Sequence, residues 1–125
     1  MNFHEQLLNL IAQTIFDKGG ANIFSLDLRE TTAMSDYIII CEGTVDRHVK
    51  ALAKNVIEAA EILGIKPFLV EGMQEGDWIV VDFSDIVAHF FIPEVREKYR
   101  LEELWEEGKI VDLKIKLPKN KGYYE

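Results

Sequence analysis

Tyr37-Ile38-Ile39-Ile40-Cys41 runs into Glu42-Gly43-Thr44 and then into a long helical repeat, and this stretch decides the fold. Five consecutive apolar residues rich in β-branched side chains have no polar face, which predicts a strand covered on both sides in the middle of a sheet. The segment after it changes period. Val45, Val49, Leu52, Ala53, Val56, Ala60 and Leu63 fall on one side of a helix. Thr44 is placed to cap that helix, Asp46 suits its positive first turn, and Gly64 ends it. Phe68-Leu69-Val70 reads as a short strand, so strand, long helix and strand together predict a right-handed parallel crossover and an α/β fold.

Working outward, Leu8, Ile11, Ala12 and Ile15 recur at helical spacing and Gly19-Gly20 stops them, giving a first helix over 4–18. Residues 23–28 alternate Phe24, Leu26 and Leu28 with Ser25 and Asp27, as a half-buried strand does. Downstream, 77–83 and 86–92 are apolar runs joined at Ser84-Asp85 and predict an antiparallel hairpin. The expected architecture is therefore mixed α+β, with a mixed sheet of about five strands flanked by helices. Pro93 suits the start of a helix, and the charged segment after it, with Val95, Tyr99, Leu101, Leu104 and Trp105 as its apolar members, reads as a docking helix or a pair of turns. Residues 111–117 alternate apolar side chains with Asp112, Lys114 and Lys116, the pattern of an edge strand protected by charge. The expected division is one domain over 1–108 and a basic tail over 109–125.

The 125 residues, 48% of them hydrophobic, suffice for one core without a disulfide or metal staple. Cys41, the single cysteine, sits in the apolar run and reads as a small buried side chain in a reducing compartment. The N-terminal residues lack the basic and apolar regions of a signal peptide, and no run approaches the ~20 apolar residues of a membrane span, so a cytoplasmic protein is expected. The net charge of -8 opposes attraction to phosphate backbones and points to a basic partner. The charge is unevenly placed: the five lysines of 109–125 outweigh Asp112 and Glu125 by three, leaving -11 on residues 1–108.

Catalytic patterns are sparse. His4, His48 and His89 are far apart, and none carries the spacing of a metal-ligand pair, so neither a metal nor a cofactor is expected. His89 in an apolar strand reads as a hydrogen-bonded structural histidine. Gly43-Thr44 with Arg47 offers backbone amides and a cation, the elements of a phosphate site, but also of an ordinary helix start. Nucleotidyltransferases place a glycine and a hydroxyl at such a turn, yet they need paired carboxylates for magnesium, and none follows here. A residual nucleotide-binding or nucleotidyltransferase-type enzyme is thus the alternative to a non-enzymatic binding protein. Asp82 and Asp85 flank a hairpin, where Asp85 suits turn closure better than an acid pair does. Trp78 shares a strand face with Val80 and Asp82, while Ile79, Val81 and Phe83 point the other way. That face reads either as a contact surface or as core, and the pattern alone leaves both open.

Leu26-Asp27-Leu28, Ser35-Asp36-Tyr37, Gly43-Thr44 with Arg47-His48-Val49-Lys50, Val70-Glu71-Gly72, Asp77-Trp78-Ile79-Val80-Val81-Asp82, and His89 with Pro93-Glu94-Val95-Arg96 occur in order. Together they resemble the ribosomal silencing factor, or Iojap-like, family from about Ile23 to Trp105. The resemblance implies a nucleotidyltransferase-like fold without catalytic acids. It also implies binding to the large ribosomal subunit through ribosomal protein fourteen, with small-subunit joining blocked by occlusion. Trp78, Ile79, Val80 and Asp82 are the partner-binding residues it carries over, and a homodimer is implied for the free protein. Many members of the family stop soon after the Leu104-Trp105 position, whereas this chain continues into its basic tail.

Overall fold

In the computed structural model, which describes residues 2–117, the chain forms α1 (Phe3–Asp17), β1 (Ala21–Asp27), β2 (Tyr37–Glu42), α2 (Asp46–Ile62), β3 (Leu69–Glu71), β4 (Trp78–Asp82), β5 (Ile86–Phe91), α3 (Pro93–Tyr99), α4 (Leu101–Leu104) and β6 (Lys109–Ile110). The strands make a mixed sheet in the order β3-β4-β5-β2-β1-β6. β2 lies inside it, as its two-sided apolar run requires, with Tyr37 through Cys41 all buried.

The crossover lands further away than a simple strand-helix-strand unit would place it. The parallel neighbour of β2 is β5, while β3 runs in the same direction as β2 but at the sheet edge, paired only to β4. The β4–β5 hairpin fills the gap that the crossover opens. Its five-residue pairing from Trp78↔Phe91 to Asp82↔Val87 fixes which side chains share a face.

The two faces are closed differently. On one, α1 and α2 lay Leu8, Ile11, Ile15, Leu52 and Val56 over Ile39, Cys41, Ile79, Val81 and Phe90, all essentially without exposure. Each such aliphatic or aromatic side chain contributes about 1.5–3 kcal/mol of transfer free energy. On the other, Leu26, Leu28, Ile38, Ile40 and Phe91 are covered by the short α3–α4 segment through Leu101, with Val95, Trp78 and Trp105 half-buried beside them.

Several local details depart from expectation. Helix α2 begins one residue beyond Val45, which is its N-cap and offers no side-chain bond. The Thr44 amide donates instead to His48 Nδ1 at 2.9 Å, and the opposite nitrogen, Nε2, lies 2.9 Å from the Lys18 carbonyl. An amide can only donate, so the ring is neutral with its proton on Nε2, and His48 ties the start of α2 to the end of α1. Val45 and Leu63, at the ends of the apolar stripe, are about half exposed. Gly64 closes the helix as expected, at φ +79°, where the Gly64 and Ile65 amides satisfy the Glu61 and Ala60 carbonyls.

Regular β6 is shorter and earlier than the alternating pattern predicts. Lys109 and Ile110 pair with Asp27 and Leu26, and the Val111 amide still reaches the Ser25 carbonyl. From there the chain leaves the ladder and crosses α1. Lys114 N donates to Asn9 Oδ1, while the Gln13 amide both accepts from Lys116 N and donates to its carbonyl. The alternation still sorts the side chains, since Val111, Leu113 and Ile115 pack on the core. The part of the tail beyond Leu117 lies outside the described residues.

Candidate functional site

The half-closed face concentrates the features that suit a partner. Register places Trp78, Val80 and Asp82 of β4 beside Phe91, His89 and Val87 of β5, and Glu71 and Leu69 of β3 beside Val80 and Asp82. Trp78, Val80, Asp82 and Val87 are partly exposed, and Leu69 and Glu71 are exposed. Ile79 belongs to the opposite face with 0% exposure, packed in the core beneath α2, so its side chain is closed to any partner. The alternation of an extended strand dictates that separation.

Trp78 is the hub of an aromatic cluster. Its ring lies 5.0 Å from Phe91, 4.9 Å from Tyr99 and 6.1 Å from His89, and His89 stacks near-parallel to Phe91 and lies 6.2 Å from Trp105. Offset and tilted arrangements at such separations each add ~0.5–1.5 kcal/mol beyond area burial. Trp78 Nε1 donates to His89 Nδ1 at 3.1 Å. His89 is 8% exposed, and burial pushes its pKa down to about 4, so the ring is neutral at physiological pH. Gly72 permits the strand approach from behind. It sits at φ +88°, and a Cβ there would collide with the Trp78 carbonyl oxygen.

Arg96 holds the lid that carries half of this cluster. Its guanidinium pairs with Glu42 and Glu102, each at 3.2 Å, and donates to the Asn22 carbonyl, while the side chain is 9% exposed. This network pins α3 to the ends of β1 and β2, and α3 in turn sets Val95 and Tyr99 over the sheet. In the sequence Arg96 is one basic residue among many charges, and nothing in its spacing announces burial. Beside Trp105, a groove of about 410 Å³ lined by Leu28, Ala33, Leu104, Glu103, Glu106 and Glu107 extends the surface with acidic walls.

The other candidate groups are employed locally. Asp82 Oδ1 accepts from the Ser84 amide at 2.7 Å, so Asp82 closes the hairpin turn that Asp85 was expected to close. Asp85 turns its carboxylate to His4 Nε2 at 2.8 Å, while its backbone carbonyl receives the Asp36 and Tyr37 amides. Folding thus brings together His4, Asp36 and Asp85, whose donor atoms lie within 4.8 Å of one another, although sequence spacing kept them apart. The Thr44 amide of the phosphate-site reading is already taken by His48. Cys41 is fully buried, and burial raises its thiol far above the range in which a thiolate forms. Among the described residues, no helix is long and apolar enough to cross a membrane.

A mixed sheet closed on one face by two long helices and left half open on an aromatic, acid-edged other face defines a class of two-faced α/β domains. The model of the family described as ribosomal silencing factor during starvation matches residues 2–124, a span that includes the tail beyond Trp105. The chain belongs to the ribosomal silencing factor family. It is 34% identical over 109 residues to the ribosomal silencing factor RsfS of Bacillus subtilis, covering 87% of this chain and 92% of that one. To the Haemophilus influenzae protein of the same name it is 36% identical over 99 residues, covering 79% and 97%. A mouse protein named mitochondrial assembly of ribosomal large subunit protein 1 is 29% identical over 101 residues, and the match spans 44% of its length. A crystal structure of a Chromobacterium violaceum protein superimposes with a TM-score of 0.80 at 30% identity, covering 95% of this chain and 98% of that one.

Proposed function

We propose that this protein is a translation repressor of the cytoplasm that binds the large ribosomal subunit through ribosomal protein fourteen and keeps the small subunit from joining. The observation that carries this reading is the half-open aromatic face of β4 and β5, in a chain of the ribosomal silencing factor family. Trp78 and Tyr99 supply large rigid rings of the kind that dominate interface energies. Val80 adds apolar area next to them, and Asp82 and Glu71 give the face an acidic edge that attracts basic ribosomal proteins and repels RNA phosphates. The name of the mouse relative, which refers to the large ribosomal subunit, supports the choice of subunit. Repression here is occlusion and requires no bond to be made or broken.

Ile79 serves this face from behind, as core that holds β4 flat against α2. In the absence of ribosomes, the same apolar patch pairs two copies of the chain, because a surface that buries area against one partner also favours a second copy. Light scattering then reports a dimer that Trp78→Glu converts to monomer.

The direct test is co-sedimentation with purified large subunits. Trp78→Glu puts a charge into the centre of the contact and weakens binding by about thirty-fold or more, the loss expected at an interface hot spot. Unchanged co-sedimentation of a folded Trp78→Glu protein would place the contact elsewhere. Large subunits preloaded with the protein fail to form joined ribosomes when small subunits are added, and joining at the uninhibited rate would rule out occlusion.

A further inference from the structure

We propose that His89 presents its Nε2–H, from the floor of the aromatic face, as a hydrogen-bond donor that selects a neutral carbonyl oxygen on the partner polypeptide. The inference rests on the reading of this face as the partner surface and adds the chemistry by which it discriminates.

The proton's position follows from the partner on the other nitrogen. An indole N–H can only donate, so the 3.1 Å bond from Trp78 Nε1 makes His89 Nδ1 an acceptor. A neutral ring that accepts at Nδ1 carries its proton at Nε2. Burial keeps the ring in that form. Among the described residues nothing accepts from Nε2. Glu102 Oε1 is the one side-chain polar atom there that is both sealed from solvent and without a partner, so the His89 Nε2–H keeps a path to solvent through the 8% of the residue that is exposed. The ring therefore spends one nitrogen on fixing Trp78 and holds the other in reserve.

Its surroundings define the acceptor. Phe91 stacks on the ring and Trp105 lies at 6.2 Å, so a partner seated on this face strips water from Nε2–H. A donor buried without an acceptor weakens association, and one met by an oxygen recovers the loss. Val80, cross-strand from His89, is flanked by Glu71 and, two residues on, Asp82. Those carboxylates repel a carboxylate acceptor, whereas a carbonyl carries no charge to be repelled. The same acids attract the cationic side chains of a basic segment whose backbone or amide carbonyl reaches His89. Trp78 and His89 then act as one unit: the first contributes area and the second reads polarity at its centre.

Two substitutions separate the nitrogens. His89→Asn keeps an acceptor near the Nδ1 position and has no donor at the Nε2 position. His89→Gln keeps a donor at the Nε2 position and gives up the Nδ1 acceptor. Full-length proteins, checked for folding by thermal unfolding, are titrated against large subunits and against isolated ribosomal protein fourteen, and the Trp78 indole N–H is followed by nitrogen-edited NMR. His89→Asn leaves the indole resonance in place and weakens binding about ten-fold, and His89→Gln moves the resonance while staying within about three-fold of wild type. In wild-type protein labelled at histidine nitrogen, the Nε2–H resonance shifts downfield and exchanges more slowly when the partner is added, a measurement that needs no variant.

Wild-type affinity for His89→Asn overturns the inference while Trp78→Glu still abolishes binding, and so does an Nε2–H resonance that the partner leaves unmoved. If His89→Asn weakens binding only with a displaced indole and His89→Gln restores nothing, the residue positions Trp78 and donates to no one, which also overturns it. Failure of the underlying reading looks different: Trp78→Glu then binds as wild type does, or wild-type protein binds neither partner.

Discussion

Trp78 and Ile79 are neighbours in the chain and belong to different halves of the molecule. Ile79 faces α2 in a layer where aliphatic side chains interlock without exposure, and Trp78 faces a lid of two short helices in a cluster that stays half open. The closed side is built from two long helices with continuous apolar stripes. The other is assembled from aromatic rings, a histidine and one buried arginine. Apolar packing dominates the first, and the second depends more on polar bonds aimed at specific atoms. On the proposed function, the fold separates stability from recognition by one residue of strand register.

Substitutions on either side of β4 sharpen that separation. Ile79→Ala removes core volume beneath α2 and costs about 2–5 kcal/mol in denaturant unfolding, while the fraction that remains folded binds large subunits normally. Arg96→Ala costs about 3 kcal/mol, because Glu42 and Glu102 keep their charges where the guanidinium was, and limited proteolysis then cuts first around α3. Both effects show in stability before they show in affinity.

The histidine supplies a pH signature for the aromatic side alone. Its proton affinity in the folded protein lies near 4 because burial opposes the charged ring, against about 6.5 in the unfolded chain. Between those values the unfolded state binds the extra proton, so stability is complete above pH 6.5 and falls as the pH drops towards 4, by on the order of 3 kcal/mol at most. His89→Gln flattens this part of the stability profile measured by unfolding at successive pH values. The folded ring takes a proton at Nδ1 only as the pH approaches 4, where two N–H groups then oppose each other across the Trp78 bond and the indole resonance moves.

Trp78→Ala reverses the balance seen at Ile79, costing about 1–2 kcal/mol of stability, because the ring is already partly exposed, and most of the affinity. Thr44→Ala changes stability by less than about 0.5 kcal/mol, since its side chain caps nothing, whereas loss of a true N-cap costs ~1 kcal/mol. A larger loss would mean that the 3.4 Å approach of the Thr44 hydroxyl to His48 Nδ1 carries weight.

What the sequence made legible was periodicity, and both faces of β4 were readable from it. Alternation separated Trp78, Val80 and Asp82 from Ile79 and Val81, and the two-sided run at β2 marked the sheet interior. The ordered motifs added Ile79 to the contact set, where the register excludes its side chain. Strand order was not readable, because the edge position of β3 depends on the β4–β5 hairpin inserting beside β2, a choice made by tertiary packing. Thr44 looked like a cap because no local signal shows that His48 takes its amide. Arg96 and the meeting of His4 with Asp85 stayed hidden for the same reason, since Asn22 and Glu42, which bury the arginine with nearby Glu102, and Asp85, which meets His4, lie dozens of residues away in the chain.

Residues 111–117 show a different consequence of long-range pairing. The Gln13 side-chain amide stands in for a strand neighbour, meeting both the amide and the carbonyl of Lys116, 103 residues further along. A chain that emerges from its N-terminus makes α1 well before this strap. Until then the outer surface of α1 and the free edge of β1 have no cover, and a contact of such long sequence separation forms slowly. Residues 109–116 therefore close the first helix late, and a chain truncated after Gly108 loses β6 and leaves β1 as an open sheet edge.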